Sequence, residues 1–316
     1  MRSVAVIGVP TSAGAFAPGQ ERAPAALREA GLVEALEAAE LEVDDRGDSE
    51  LWRWRPDREE RQAQNLGRVV SIVRETADRV AEAATENEVT LVLGGDCTVG
   101  IGTVAGHVEA DEEAEAERVG VLYFDTHADL NVPASVREGA LDWMGMAHML
   151  GVEGARAELV EAGDRAPLLD PDQVLLFGWG PEQATPFEAD QVRRLGIVRE
   201  NVEEVAADPE GAAVGALALL EPRCERLLVH FDVDVVDVDV DVDDVDVVDF
   251  TDTPLSENTG RNEGLPFETA LRALKALLAA PKLAALTITE LNPDHIEEGS
   301  NAVERLVAAV AEGLAA

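Results

Sequence analysis

The chain has 316 residues, 46% of them hydrophobic and 4% aromatic, and a net charge of −39 at pH 7. That length holds one large α/β domain or two smaller ones, with a core built mostly of Val, Leu and Ala. The charge argues against nucleic acid and anionic membranes as partners, and no apolar run approaches the roughly 18 residues of a membrane span.

Lysine occurs only at Lys275 and Lys282, and the two cysteines, Cys97 and Cys224, make no disulfide framework. A reducing cytoplasm is the expected compartment. Self-repulsion among so many carboxylates destabilises the fold at low salt, and molar salt shortens the screening length to about 3 Å. The composition therefore points to a salt-rich cytoplasm, with a GC-rich coding bias as the alternative. Melting temperature is expected to rise along a KCl series; a flat series removes the saline reading.

Met1–Gly8 reads as an opening β-strand rather than a signal peptide, with the strand proper at Val4–Val9. A helix is expected over Ala23–Glu40, with Pro24 in its first turn. Arg61–Asn87 carries Leu66, Val69, Val70, Ile72 and Val73 as a helical stripe. The strand Thr90–Leu93 runs into Gly94-Gly95-Asp96-Cys97-Thr98 and a helix over Thr98–Val108. The strand Val119–Phe124 ends in Asp125-Thr126-His127-Ala128-Asp129. Further on come helix Met144–Leu150, strand Gln173–Phe177, helices Pro186–Leu195 and Glu210–Leu220, and strand Arg226–Phe231. Helix Pro266–Ala279, strand Ala284–Thr289 and helix Ala302–Leu314 complete the series. Such alternation predicts an α/β fold with a mostly parallel sheet covered by helices. No linker rich in Pro, Gly or Ser divides it, so residues 1–316 are read as a single domain.

Residues 232–249 break the pattern, being nine Asp and nine Val. The hexamer Asp-Val-Asp-Val-Val-Asp occurs at 232–237 and again at 244–249, which reads as a tandem duplication with an insertion at about 238–249. The segment is either an added cation-binding loop or a solvated acidic extension; its spacing is not that of an EF-hand. Asp232 and Asp234 are favoured over Asp244 and Asp246 to face a site, because the apolar run Leu227–Phe231 pins the first copy to the sheet.

Two carboxylates and an imidazole within Asp125–Asp129 are costly to bury unless a cation compensates them. The acidic end of a second strand, Asp232 and Asp234, implies a metal site assembled from strands distant in sequence. Thr289-Glu290-Leu291-Asn292-Pro293 ends a third. In this order and spacing, with Gly94–Thr98, Asn131, Pro133, Gly19–Pro24 and Pro254–Asn258, the chain resembles the arginase–agmatinase (ureohydrolase) family over nearly its whole length.

The resemblance implies a three-layer α/β/α fold with about eight strands and two manganese ions. One ion would be held by Asp125, His127, Asp232 and Asp234, the other by Cys97, Asp125, Asp129 and Asp232. It implies attack of a metal-bound hydroxide on the guanidinium carbon of a small guanidino substrate, releasing urea or a related amide. Asp129 resembles the carboxylate that passes a proton to the leaving amine, and Glu290 the one that pairs with the guanidinium. Asn131 and Ser135 would touch the rest of the substrate. A homo-oligomer, trimer or hexamer, is the expected assembly.

Three departures from the family pattern stand out. Cys97 occupies a usual histidine position, and thiolate is softer than imidazole. Either it ligates as thiolate, or that position holds no ion, or a water or another side chain fills it. Asp142 stands near a proton-shuttling histidine of arginases, and serves either as a substitute acid–base group or as a helix N-cap. Glu182 is what remains near an Arg-Asp pair that reads the substrate α-amino group, which leaves agmatine, guanidino acids and formiminoglutamate open beside L-arginine. His230 reads as a packed or hydrogen-bonded histidine, His107 and His148 as structural. The rival readings are a catalytically impaired binding or regulatory protein and a deacetylase, the latter disfavoured because Tyr123 is the sole tyrosine and lies in a strand.

Overall fold

The computed structural model describes residues 1–109, 118–236, 264–296 and 299–316. The Asp/Val insertion at about 238–249, the alternative pair Asp244 and Asp246, and Pro254–Asn258 lie outside the described residues. Eight strands form one sheet: β1 Ser3–Gly8, β2 Glu42–Asp48, β3 Val89–Leu93, β4 Val119–Phe124, β5 Val174–Trp179, β6 Val198–Asn201, β7 Arg226–Asp232 and β8 Leu283–Thr289. Their order is β2-β1-β3-β8-β7-β4-β5-β6, and every pairing is parallel.

Side chains alternate across this sheet into two apolar cores, as period-two geometry requires. Leu91, Leu93, Phe124, Phe177, Phe231 and Ile288 face one layer of helices, which includes Phe267–Leu278 and Ala302–Ala315. Val92, Val121, Tyr123, Leu176 and Leu228 face the other, which includes Leu66–Glu86 and Val99–Glu109. The result is the three-layer α/β/α architecture. Phe124 packs edge-on against Phe177 at 4.9 Å and tilted against Phe231 at 5.1 Å, linking three neighbouring strands. Phe124→Ala is expected to cost about 3–5 kcal/mol in denaturant unfolding, because this packed trio cannot collapse onto the cavity.

The six strands expected from apolar runs are present, and two edge strands join them. β2 (Glu-Val-Asp-Asp-Arg-Gly-Asp) and β6 (Val-Arg-Glu-Asn) are half-exposed and charged, so neither carries an apolar run. The helix expected over Ala23–Glu40 is two helices, Ala23–Glu29 and Leu32–Ala38, broken where Gly31 takes a φ of 84°. The helix expected from Arg61 starts at Leu66, after Asn65 in the left-handed region.

The register sets the ends of the central strands level. Phe124 pairs with Phe231, Phe231 with Ile288, and Leu93 with Ile288. The residues that follow each strand therefore meet at one edge of the sheet, along β3-β8-β7-β4.

Candidate metal centre and active site

Four segments converge at that edge: Gly94–Thr98 after β3, Asp125–Asn131 after β4, Asp232–Asp234 at the end of β7 and Glu290 after β8. They floor a cleft of about 570 Å³, part of it open to solvent. Cys97, His127, Asp129, Asp232, Asp234 and Glu290 line it, with Phe16, Trp143, Asn131, Asp142, Gln183, Thr185 and Glu188 around them.

The backbone of each segment is tightly determined. A Cβ at Gly95 would sit 1.7 Å from the Thr11 carbonyl oxygen, so only glycine lets the loop after β3 pass. Asp96 accepts a hydrogen bond from Gly14 N (2.9 Å), which ties that loop to the N-terminal segment, and one from Thr98 N (3.1 Å) within the loop. Asp129 and Glu290 both have positive φ, 48° and 63°. Such backbone costs free energy in non-glycine residues and persists where the surroundings enforce it.

Glu188 supplies much of that enforcement, its Oε1 accepting from Ala128 N at 3.1 Å and Leu130 N at 3.2 Å. Tyr123 donates to Asp129 Oδ2 at 2.5 Å. Glu290 Oε1 accepts from Cys97 N at 2.9 Å, and its Oε2 from Gln20 Nε2 at 3.0 Å.

Sequence reasoning gave no role to Gln20, Tyr123 or Glu188. Thr185-Pro186-Phe187-Glu188 has the spacing of a capping box, and Thr185 does cap the helix, accepting from Glu188 N at 3.1 Å. The Glu188 carboxylate instead leaves its own helix for the loop after β4, a use only tertiary structure reveals.

His127 Nδ1 lies 3.0 Å from Asp234 Oδ2 and 3.4 Å from Asp125 Oδ1. Asp232 Oδ1 accepts from Asp234 N at 2.8 Å, and its Oδ2 from the Cys97 thiol at 2.8 Å. Three sets of side chains bring ligating atoms within 4.8 Å of one another: Asp125, His127 and Asp234; Cys97, Asp125 and Asp129; and Cys97, His230 and Asp232.

Burial, reinforced by neighbouring carboxylates, holds the carboxyls of Asp125, Asp232, Glu290 and Asp142 well above their ordinary range. Asp129 is pushed up to about 8, chiefly by burial, against the opposing hydrogen bond from Tyr123. Burial also opposes charge on Asp234, but the adjacent His127 outweighs it and holds that carboxyl low. Asp125 Oδ2 and Asp234 Oδ1 are buried with no hydrogen-bond partner. Crowded carboxyls with orphaned oxygens fit divalent cations, which supply the missing partner and reverse the cost of ionisation.

The remaining expected residues divide. Asn131 lines the cleft, its Oδ1 accepting from Thr185 Oγ1 at 2.7 Å and Ser135 Oγ at 3.1 Å; Ser135 thus reaches the cleft only through Asn131. Asp142 lines the cleft and opens a short 3₁₀ turn, its Oδ1 accepting from Trp143 N at 2.9 Å; the residue before helix Gly145–Met149 is Met144, so Asp142 is not that helix's N-cap. Glu182 is exposed and does not line the cleft; Gln183 does. His107 bonds Thr90 Oγ1 at 2.8 Å and His148 bonds the Met144 carbonyl at 2.6 Å, both in structural settings.

The family model of the arginase family matches residues 2–241. This chain belongs to the arginase family. It is 27% identical to the arginase of Bacillus caldovelox over 300 residues, 93% of this chain and 92% of that protein. It is 27% identical to human arginase-1 over 295 residues, 92% of this chain and 85% of that one. Among solved structures, an arginase from Bacillus subtilis superposes with a TM-score of 0.82 at 24% identity, covering 99% of this chain and 98% of its own. The formimidoylglutamase of Bacillus subtilis superposes with a TM-score of 0.72 at 16% identity, covering 100% and 88%. At these identities the superpositions speak for the fold. Family membership makes the chain a ureohydrolase-type hydrolase of linear amidine C–N bonds.

Proposed function

We propose that the chain hydrolyses a small guanidino or related amidine compound at a divalent metal centre, releasing urea or a related amide. One observation carries the reading. Carboxylates from the ends of adjacent strands line a cleft whose described lining residues include no lysine or arginine. A cleft of that sign draws in cations, both metal ions and a guanidinium.

In this reading Asp125, His127, Asp232 and Asp234 hold one ion, and Asp125, Asp129, Asp232 and Cys97 the other. Manganese suits the first of these oxygen and imidazole sets. The ions, when bound, lower the pKa of a water to near neutrality and stabilise charge that develops at the reacting carbon.

Glu290 binds the guanidinium N–H groups. Its carboxylate is already fixed by Cys97 N and Gln20 Nε2, and each oxygen keeps a lone pair for substrate. Asp129 carries the proton to the departing amine at its carboxylate, which Tyr123 orients. Asp142, buried at the cleft wall, is the second acid–base candidate. Phe16 and Trp143 shield the reacting end from water, while Asn131, Gln183 and Thr185 meet the substrate tail.

The test is urea release, or release of the corresponding amide, by purified chain loaded with manganese. L-arginine, agmatine, guanidino acids and formiminoglutamate form the panel. One member is expected to turn over in a manganese-dependent way. Failure to bind any divalent ion, or two bound ions with no turnover across the panel, overturns the proposal.

A further inference from the structure

A second set of donors, differing in chemistry from the first, runs from the cleft floor at Cys97 and Asp232 back to His230 behind it. Cys97 Sγ lies 3.5 Å from His230 Nε2 and 2.8 Å from Asp232 Oδ2, and all three side chains are buried. Thr289 Oγ1 lies 3.2 Å from both Cys97 Sγ and His230 Nε2. Around a tetrahedral ion with arms of about 2.3 Å to sulfur and 2.0–2.1 Å to nitrogen, those two ligand atoms sit about 3.5 Å apart. The observed separation of the thiol and imidazole matches that spacing, while the thiol and the Asp232 carboxylate, hydrogen-bonded at 2.8 Å, would part to about 3.5 Å as the ion replaces the proton between them.

The imidazole is held in place on two sides. Its ring stacks on Tyr123 with centroids 4.2 Å apart and planes within 4°. At its Nδ1–Cε1 edge helix Val99–Glu109 presents Gly100, where a Cβ would lie 2.7 Å from Nδ1 and 3.0 Å from Cε1. Aromatic stacking and a glycine gap together fix a buried histidine beside a buried cysteine, an arrangement that core packing alone does not require.

We infer that the second ion takes His230 with Cys97 and Asp232 in place of Asp125 and Asp129, a thiolate–imidazole–carboxylate position that selects zinc-class ions over manganese. This rests on reading the cleft as a metal centre, and it makes the centre chemically asymmetric. The Asp125, His127 and Asp234 side supplies harder donors suited to manganese, while the Cys97 side supplies the soft ligand that favours zinc. Binding replaces the thiol proton now shared with Asp232, so one proton leaves Cys97 as the ion enters. Three protein ligands leave one tetrahedral position for a water or for Thr289 Oγ1, which already lies 3.2 Å from two of them.

Cobalt(II) titration of the chelator-stripped full chain tests this. A thiolate-to-cobalt charge-transfer band is expected to saturate at one equivalent. Added zinc should abolish it, and equimolar manganese should leave it. Cys97→Ser should lose the band, and His230→Gln should weaken cobalt binding at that position by more than the roughly 10–100-fold that loss of an outer-shell partner costs, while circular dichroism stays native. Cobalt bound with no thiolate band, displacement by manganese as readily as by zinc, or unchanged affinity in folded His230→Gln each overturns the inference. If either variant unfolds, the band and the zinc–manganese competition in the unaltered chain decide alone. A chain that binds no divalent ion fails the functional proposal itself. A chain that binds ions and turns over substrate without the band fails only this inference.

Discussion

Asp232→Asn is expected to lower hydrolysis by roughly three orders of magnitude, about 4 kcal/mol of barrier, and to reverse its effect on stability with the metal content of the buffer. Asp232 stands at the end of β7 between the two sets of ligands, its Oδ1 turned to Asp234 N and its Oδ2 to Cys97. With divalent ions present, its charge serves both positions, and any ion bound only to the folded chain adds its binding energy to folding. At 100 times the dissociation constant that linkage is worth about 2.7 kcal/mol. Losing it should lower the melting temperature by roughly 5 °C or more. In chelator the sign turns. Burial, with Asp234 and Asp125 nearby, makes the ionised carboxyl expensive, whereas asparagine keeps the acceptor for Asp234 N and carries no charge. The variant should then melt at or above the unaltered chain at pH 8. A variant equally destabilised with and without metal would show that Asp232 is a structural residue only. Asp244→Ala should leave activity intact.

The second large effect is on pH. The stabilising effect of added divalent metal over chelator should be small near pH 5.5 and large near pH 8. In the metal-free chain, Asp129 is pushed up to about 8, and burial holds Asp125, Asp232, Glu290 and Asp142 well above their ordinary values. In the unfolded chain the same carboxyls titrate near 4. Between about pH 4 and 8 the folded chain therefore holds protons that the unfolded chain has released. Stability contributed by these groups is fully present below pH 4 and is lost as pH rises through that window. Metal binding needs deprotonated ligands, so its contribution grows over the same window. Asp234, held low by His127, is already ionised there and adds nothing to the slope. Calorimetry of loaded and chelated protein at the two pH values measures the gap, and the chain's overall negative charge is common to both arms. A gap that narrows with pH would mean that Asp125, Asp129 and Asp232 do not ligate the ion.

Both effects depend on residues whose types and positions were legible in the sequence, and on a convergence that was not. Apolar runs of Val, Leu and Phe marked six strands, and acidic residues just past Phe124 and Phe231 marked where ligands emerge. β2 and β6 escaped notice because edge strands bury only part of each face and tolerate charge. Glu188 escaped because a carboxylate at the third helical position is locally indistinguishable from a capping residue. Glu182 drew attention by its place in the chain, yet the turn after β5 aims it at solvent and brings Gln183 to the cleft instead.

His230 marks the boundary between the two kinds of information. Its parity along β7 was visible, and so was the thiol at Cys97, but they lie 133 residues apart in sequence and 3.5 Å apart in space. Local chain chemistry sets which side chains alternate to which face and where a strand stops, because those follow from backbone geometry within a few residues. Strand order is set by non-local pairing and by two cores that must each be filled. Placing β3, β8, β7 and β4 side by side is what turns scattered carboxylates, a thiol and two imidazoles into one site.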